Sequence, residues 1–371
     1  MADNQKGGPV DPQQVFCPNS ACPATGQIGR GNISIHGQKE RRYWCSLCET
    51  SFSERRGTPF YRCRTDPEVM TLVLTLIAYG CPPLAIVKAF GFQARTVRQW
   101  VAKGGAHCRA VHEHRVLPHE LGQVQADELR VKLQGKIVWL AMALAVPTRL
   151  WLGAVVGEQR DRRLLLALAQ RVRAWAEPGR LLVVVDGLAG YLTAFRRVLR
   201  EPVRAGRTGR PKLVPWEGVV IGQVIKQYCR RRVVGVTRTL AQGSEAEAAA
   251  LLTETQGGGV LNTAFIERLN ATFRSRLVLL VRRTRRLGRS PAALEAAVYL
   301  IGCVYNFCDA HTSLSLGGQP TTPAIWVGLT DHCWTVGELL WDRVPPPPWR
   351  PPKRRGRRTR AERELLARWT T

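Results

Sequence analysis

The sequence predicts a multidomain α/β chain: a small cysteine-built ribbon, then a set of short helices, then a larger domain of alternating strands and helices. Three observations predict it. Four cysteines fall in two close pairs between Cys17 and Cys48. Apolar residues recur with helical period over residues 66–104. From Gln123 to about Gly328, strand-like and helix-like stretches alternate, the pattern of a sheet covered by helices. A length of 371 residues with 45% hydrophobic content suffices for two or three domains and a sizeable core.

Charge narrows the class of partner. Lys and Arg total 55 against 28 Asp and Glu, a formal net charge of +27. So much positive charge opposes compaction unless a polyanion is bound. Nucleic acid is the first expectation, because neutralising phosphates releases condensed counterions; an anionic membrane surface competes with it. A membrane span is not expected, since the longest apolar run, Ile137–Val146, has strand length. The N-terminus lacks the basic-then-apolar pattern of a signal peptide, so a cytoplasmic chain is expected, with thiols or metal ligands among its 11 cysteines rather than disulfides.

Residues 1–14, polar and rich in Gly, Pro and Gln, are expected to be disordered. Residues 15–62 carry Cys17-x4-Cys22 and, 22 residues on, Cys45-x2-Cys48. Two such knuckles supply the four sulfurs of a tetrahedral Zn²⁺ site, which predicts a zinc ribbon with Cys17, Cys22, Cys45 and Cys48 as ligands of one structural ion. A short polar segment with almost no core needs such a staple. The other seven cysteines have no paired spacing and read as small apolar residues.

Residues 63–104 read as a helix-turn-helix. Thr65 or Asp66 caps a helix with Val69, Leu72, Val73, Leu76 and Ile77 inward. Pro82 and Pro83 start a second, through Leu84, Ile86, Val87 and Phe90. Gly91 suits the tight turn before a third, Ala94–Lys103, with Val97 and Trp100 inward and Arg95, Arg98, Gln99 and Lys103 outward. Those exposed side chains suit a helix in a DNA major groove. A plain three-helix packing unit with a solvated basic face is the alternative. Residues 105–121, with four His and no clear period, read as a linker.

Residues 122–330 form the α/β domain. Gln123–Leu133, Lys136–Val146 and Arg149–Val156 read as a three-strand meander. Alternation puts Asp127 with Leu129, Val131 and Leu133, and Glu128 with Arg130 and Lys132. A carboxylate on the apolar face needs a partner, and a metal ion would serve. After a Leu-rich helix, Asp161–Ala176, comes the continuous apolar run Leu181–Val185, a central strand ending in Asp186-Gly187. Ligands of α/β sheets gather at such carboxyl ends. A later helix buries Ile266, Leu269, Phe273, Leu277 and Leu280 and sets Glu267, Asn270 and Arg274 on another face. Arg268–Arg289 holds eight Arg and no acid. An ordinary ion pair is the bland reading of each acid alone. Together, two strand acids and one helix acid suit a pair of divalent ions, Mg²⁺ or Mn²⁺, acting on a phosphodiester. Residues 201–255 carry the basic run Arg204–Lys212 and a strand-like pair, Val219–Val224 and Arg232–Thr237. Residues 331–371 are a Pro-rich basic tail, six prolines in Pro345–Pro352 preceding a short helix, Ala361–Trp369.

The order of ribbon, helix-turn-helix, Asp-Glu-x, Val-Asp-Gly-x3-Tyr and Ile-Glu-Arg-x-Asn-x3-Arg resembles the transposases of the bacterial insertion-sequence-one family. The most specific block is IERLNATFRSRLVLLVRRTRRLGRS, and the resemblance spans about residues 15–310. It implies an RNase H-like catalytic fold with Asp127, Asp186 and Glu267 as an Asp-Asp-Glu triad. It also implies binding of double-stranded DNA at terminal inverted repeats, in a bacterial, nucleoid-associated setting. Three features depart from the family pattern: the x4 first knuckle, the tail, and residues 201–255, which are longer than a minimal catalytic core needs and read as an insertion whose hairpin lies over the DNA. Asn270, Arg274, Arg282, Arg283 and Arg285 are the DNA-binding candidates of the third-acid block. A homodimer or larger assembly on DNA is expected, because two ends must be joined. A non-catalytic DNA-binding regulator derived from a transposase is the alternative. A zinc hydrolase built on His107, His112, His114 and His119 is disfavoured, because His-Glu-His lacks the i, i+4 spacing such sites use.

Overall fold

The structure, a computed structural model, describes residues 11–204, 211–230, 232–281, 284, 287–315, 317–346 and 356–369. The chain forms a mixed α/β protein that divides into two compact units, one of residues 1–66 with 341–371, the other of residues 67–340. Arg282, Arg283 and Arg285, with parts of the Arg204–Lys212 and Pro345–Pro352 runs, lie outside the described residues. Among the described residues no helix is long and apolar enough to cross a membrane.

The first unit is a three-stranded antiparallel sheet, β1 (Ile33–Gly37), β2 (Arg42–Cys45) and β3 (Thr50–Ser53), in that order. Its small core is Val15, Ile33, Tyr43 and Phe52 packed with the cysteines. The expected disorder of residues 1–14 lies outside the described residues up to residue 10; after it Asp11 caps a 3₁₀ turn, Pro12–Gln14, because Val15 and Phe16 are buried just beyond it. The tail contributes here too: the Trp341 ring packs on Phe60, centroids 4.8 Å apart. A helix at Arg360–Trp369 matches the expected one to within a residue.

The second unit opens with α1 (Pro67–Ala78), α2 (Pro83–Phe90) and α3 (Ala94–Arg115). Gly91, at φ 70°, makes the turn between the second and third. The inward face of α1 is Met70, Val73, Leu74, Ile77 and Ala78, rotated from the expected set, so that Leu72 is exposed. On α2 only Ile86 is buried, and Leu84 and Phe90 stay out. The expected linker at residues 105–121 is a correction: α3 runs on to Arg115. Its Gly104-Gly105 pair marks a close helix crossing, not a break. A Cβ on Gly105 would lie 2.1 Å from the Ala296 carbonyl oxygen of α8 (Pro291–Phe307).

The sheet follows: β4 (Gly122–Lys132), β5 (Ile137–Ala145) and β6 (Trp151–Gly157) form the expected antiparallel meander. Then α4 (Arg162–Trp175), capped by Asp161, leads to β7 (Leu181–Asp186), which pairs parallel with β4. After α5 (Ala189–Val198), a small hairpin, β8 (Arg200–Val203) and β9 (Lys212–Pro215), stands apart. Next, β10 (Val219–Cys229) pairs parallel with β7, and β11 (Arg232–Gln242) pairs antiparallel with β10. The six strands run β11-β10-β7-β4-β5-β6. The expected insertion at residues 201–255 is therefore corrected: its second strand pair belongs to the central sheet, because the apolar run Val219–Val224 needs burial beside Leu181–Val185.

Helices cover both faces. α6 (Glu245–Gln256) and α7 (Ala264–Arg276) pack on β4, α4 on β5 and β6, and α5 on α4. Parity along β4 assigns the faces: Gln125 and Asp127 bond to the α7 side, Glu128 to α5. The side chain of Asn306 on α8 satisfies both the N–H and the C=O of Trp151 on edge strand β6, at 2.9 Å each. Residues 336–341, assigned to the tail, form a helix with Val336, Leu339 and Leu340 buried, since its apolar stripe has a core to join.

Candidate active and metal sites

In the first unit, Cys17, Cys22, Cys45 and Cys48 bring their sulfurs within 4.8 Å of one another. The Cys17–Cys48 and Cys22–Cys45 separations are 3.6 and 3.7 Å. Sulfurs bound tetrahedrally with bonds of about 2.3 Å lie about 3.8 Å apart, so the set fits one metal ion of zinc's preferences. Asn32 adds an N–H to Cys45 Sγ at 3.1 Å, the kind of outer contact that orients a thiolate ligand. Burial pushes the Cys22 thiol up to about 12, the expected penalty for crowding thiols without a cation.

The acids lie in the second unit. Asp186 ends β7 and Asp127 sits one strand over on β4, at adjoining register. Their carboxylates and that of Glu128 lie within 4.8 Å of one another. Asp127 is pushed up to about 7, first by burial and then by the charges of Glu128, Asp186 and Glu267. Carboxylates crowded in this way favour a divalent cation, and an all-oxygen donor set suits a hard one.

Glu267 lies on α7 outside that cluster, on the wall of the same cleft. Gln125 sets the register of this helix against β4, accepting from the Ile266 N–H at 3.0 Å and donating to the Asn262 carbonyl at 2.8 Å. Burial opposes ionisation of Glu267, but the Lys226 ammonium and the Thr263 hydroxyl, 2.7 Å away, outweigh it and hold the carboxyl below its ordinary range. The ion pair it forms among the described residues is thus with a lysine of β10.

The cleft, about 650 Å³, is lined by Asp127, Asp186 and Glu267 together with Arg160, Lys226, Asn270 and Arg274. Of the DNA-binding candidates, Arg95, Arg98 and Gln99 are exposed on α3 and Lys103 is half-buried. Arg274 is half-buried at the cleft. Asn270 is placed otherwise than expected: it is 1% exposed and donates to Asp127 Oδ2 at 2.7 Å. It orients an acid, and packing of α7 on β4 leaves it no open surface. Tyr228, 65% exposed at the end of β10, also lines the cleft, beside exposed Arg230 and Arg232.

Sequence reasoning passed over Glu128, Arg160 and Lys226. Strand alternation set Glu128 on an outer face with Arg130 and Lys132. In the structure it is buried under α5, where Tyr191 Oη donates to it at 2.6 Å and Arg160 pairs with it. The tyrosine of Val-Asp-Gly-x3-Tyr was the available signal, since a buried phenol needs an acceptor. Nothing local marked Arg160 or Lys226. The four-histidine hydrolase gains no support: His107 and His112 are buried along α3, and His107 Nε2 meets the Leu339 carbonyl oxygen at 3.1 Å.

No family model matches the chain, and no curated protein matches it.

Proposed function

We propose that the chain is a DNA transposase of an insertion sequence, binding the ends of its element and catalysing metal-dependent strand cleavage and strand transfer. One observation carries this reading. Three acids far apart in sequence, Asp127, Asp186 and Glu267, line a single cleft that also presents Arg160, Lys226 and Arg274. A phosphodiester needs both: carboxylates for divalent ions and cations for its own charge. The strand order β10-β7-β4-β5-β6, with β5 antiparallel in the meander, supports an RNase H-like domain. The α1–α3 unit, with Arg95, Arg98 and Gln99 exposed, supports a helix-turn-helix. The four cysteines support a zinc ribbon. The net charge of +27 supports a DNA partner.

In this reading Asp127, Asp186 and Glu267 would hold two Mg²⁺ or Mn²⁺ ions, which supply activation of the attacking oxygen and stabilisation of the leaving one. Asn270 holds one oxygen of Asp127 in place, and Thr263 holds Glu267. In cleavage a water oxygen bonds to phosphorus while the P–O3′ bond breaks. The water loses a proton, and the 3′ oxygen gains one, leaving a 3′-OH and a 5′-phosphate. In transfer that 3′-OH attacks a target phosphate, forming one phosphodiester as another breaks. Asp186→Ala is expected to keep binding of the DNA that flanks the gene and to lose Mg²⁺-dependent cleavage. Undiminished cutting by that variant overturns the reading.

A further inference from the structure

The most elaborate polar arrangement at the cleft belongs to residues outside the acid triad. Glu128 has a side chain only 1% exposed. Burying a carboxylate costs several kcal/mol unless it is paired and hydrogen-bonded, so such a group is held for a reason. Its partners are the Tyr191 hydroxyl, itself buried, and the Arg160 guanidinium through Nε and Nη2. Burial, then the neighbouring charge of Glu128, raises Tyr191 well above its ordinary range, so it stays a proton donor. The Trp139 ring lies 5.2 Å from the guanidinium carbon. The result is an arginine fixed on three sides, with Nη2 3.2 Å from Asp186 Oδ2 and 37% of its side chain open to the cleft. Its Nη1 hydrogens have no partner among the described residues. A surface ion pair with Asp186 would be worth little and would need no buried strut.

The electrostatics say what the free edge of that guanidinium is for. Asp127, Asp186 and Glu267 put three carboxylates on one cleft, with Glu128 buried behind two of them. Such a cleft draws cations and repels a phosphodiester. A guanidinium offers a planar fork of donors that fits phosphate oxygens. Resting on the transposase reading above, we propose that Arg160 is a catalytic cation that holds a non-bridging oxygen of the scissile phosphate. Glu128 and Tyr191 are positioning residues that fix it there. Arg160 forms and breaks no covalent bond; it meets the charge that gathers on that oxygen as the water oxygen bonds to phosphorus and the 3′ oxygen departs.

The test pairs a protein change with a phosphate change. The cleavage position in a duplex of the flanking DNA is mapped with the wild-type chain. A second duplex then carries a single methylphosphonate there, which removes the anionic oxygen. Affinities for both are measured without added divalent ions, so that no cation but those of the protein contributes to the preference. The wild type is expected to prefer the phosphate duplex about tenfold, the worth of one charge-assisted hydrogen bond, and Arg160→Gln to bind the two alike. Single-turnover cleavage of the phosphate duplex in Mg²⁺ is expected to fall about 100-fold in Arg160→Gln, with Arg160→Lys between. Tyr191→Phe and Glu128→Gln are expected to weaken the same preference, with affinity for the methylphosphonate duplex kept. The inference is overturned if Arg160→Gln keeps the wild-type preference, if the wild type has none, or if the cleavage rate falls less than about threefold, within what a lost surface contact does. A wild type that cuts no flanking DNA, or an Asp186→Ala chain that cuts it, overturns the transposase reading instead.

Discussion

His112 gives the second unit a dependence on pH whose size follows from its surroundings. It sits on α3, 2% exposed, with the Trp151, Trp175 and Tyr299 rings at 4.9, 5.3 and 5.7 Å. Neither ring nitrogen has a hydrogen bond of good geometry, the Trp151 backbone being the polar group beside it. Burial, helped by the nearby Arg171 charge and opposed by the Trp151 backbone and Glu113, lowers its pKa from 6.5 to about 4. Between those values the unfolded chain binds a proton that the folded chain refuses. Neutral His112 therefore leaves stability intact above pH 6.5, and stability is lost as pH falls from there toward 4. A shift of that size is worth about 3 kcal/mol at about 1.4 kcal/mol per unit. Other groups titrate in the same window, so the measurement is a difference. Urea unfolding of the wild type and of His112→Leu, similar in volume, is followed by tryptophan fluorescence from pH 8 to pH 4.5. At pH 8 the two are expected to lie within about 1.5 kcal/mol, since Leu also removes two unsatisfied polar atoms. At pH 4.5 the variant is expected to be the more stable by about 2 kcal/mol relative to that baseline. Two curves that stay parallel across the range would refute the account of His112 as a buried neutral histidine.

The remaining predictions concern the first unit and a helix crossing. Purified chain is expected to carry one zinc, and Cys45→Ser to lose it along with the structure of the first unit, while unfolding of the second is unchanged; metal analysis and calorimetry read this, and full zinc content in the variant contradicts it. Gly105→Ala drives a methyl toward the Ala296 carbonyl oxygen 2.1 Å away. It is expected to lower stability of the second unit by at least about 1–3 kcal/mol, and a urea midpoint equal to wild type counts against the tight α3–α8 crossing.

Local pattern carried the meander, the central strand and the acid that ends it, because each is a statement about one short stretch and its period. Alternation could rank Asp127 above Glu128 only if one face of β4 were open. At the end of β4 that matters, α5 and α7 lie on opposite faces, so neither face is simply open to solvent. The partners that make Glu128 tolerable come from residues 160 and 191, and no window along the sequence contains all three. The same holds for Lys226, whose value depends on β10 lying beside β7. Residues 219–242 look like an excursion because their partner strand ends at Asp186, well before Val219 begins theirs. The third helix outruns its expected end at Lys103 because the Gly104-Gly105 pair admits a neighbouring backbone, a contact that no local period records.

Gln125 joins the first strand of the sheet to a helix that begins 139 residues later, through both ends of one buried amide. During synthesis β4 and β7 emerge first, with two acids already in place and that amide still waiting. Only when the ribosome has released α7 does the amide find its partners, and only then does Glu267 arrive at the cleft. The cleft thus gains its third acid only after all six strands of the sheet have been made.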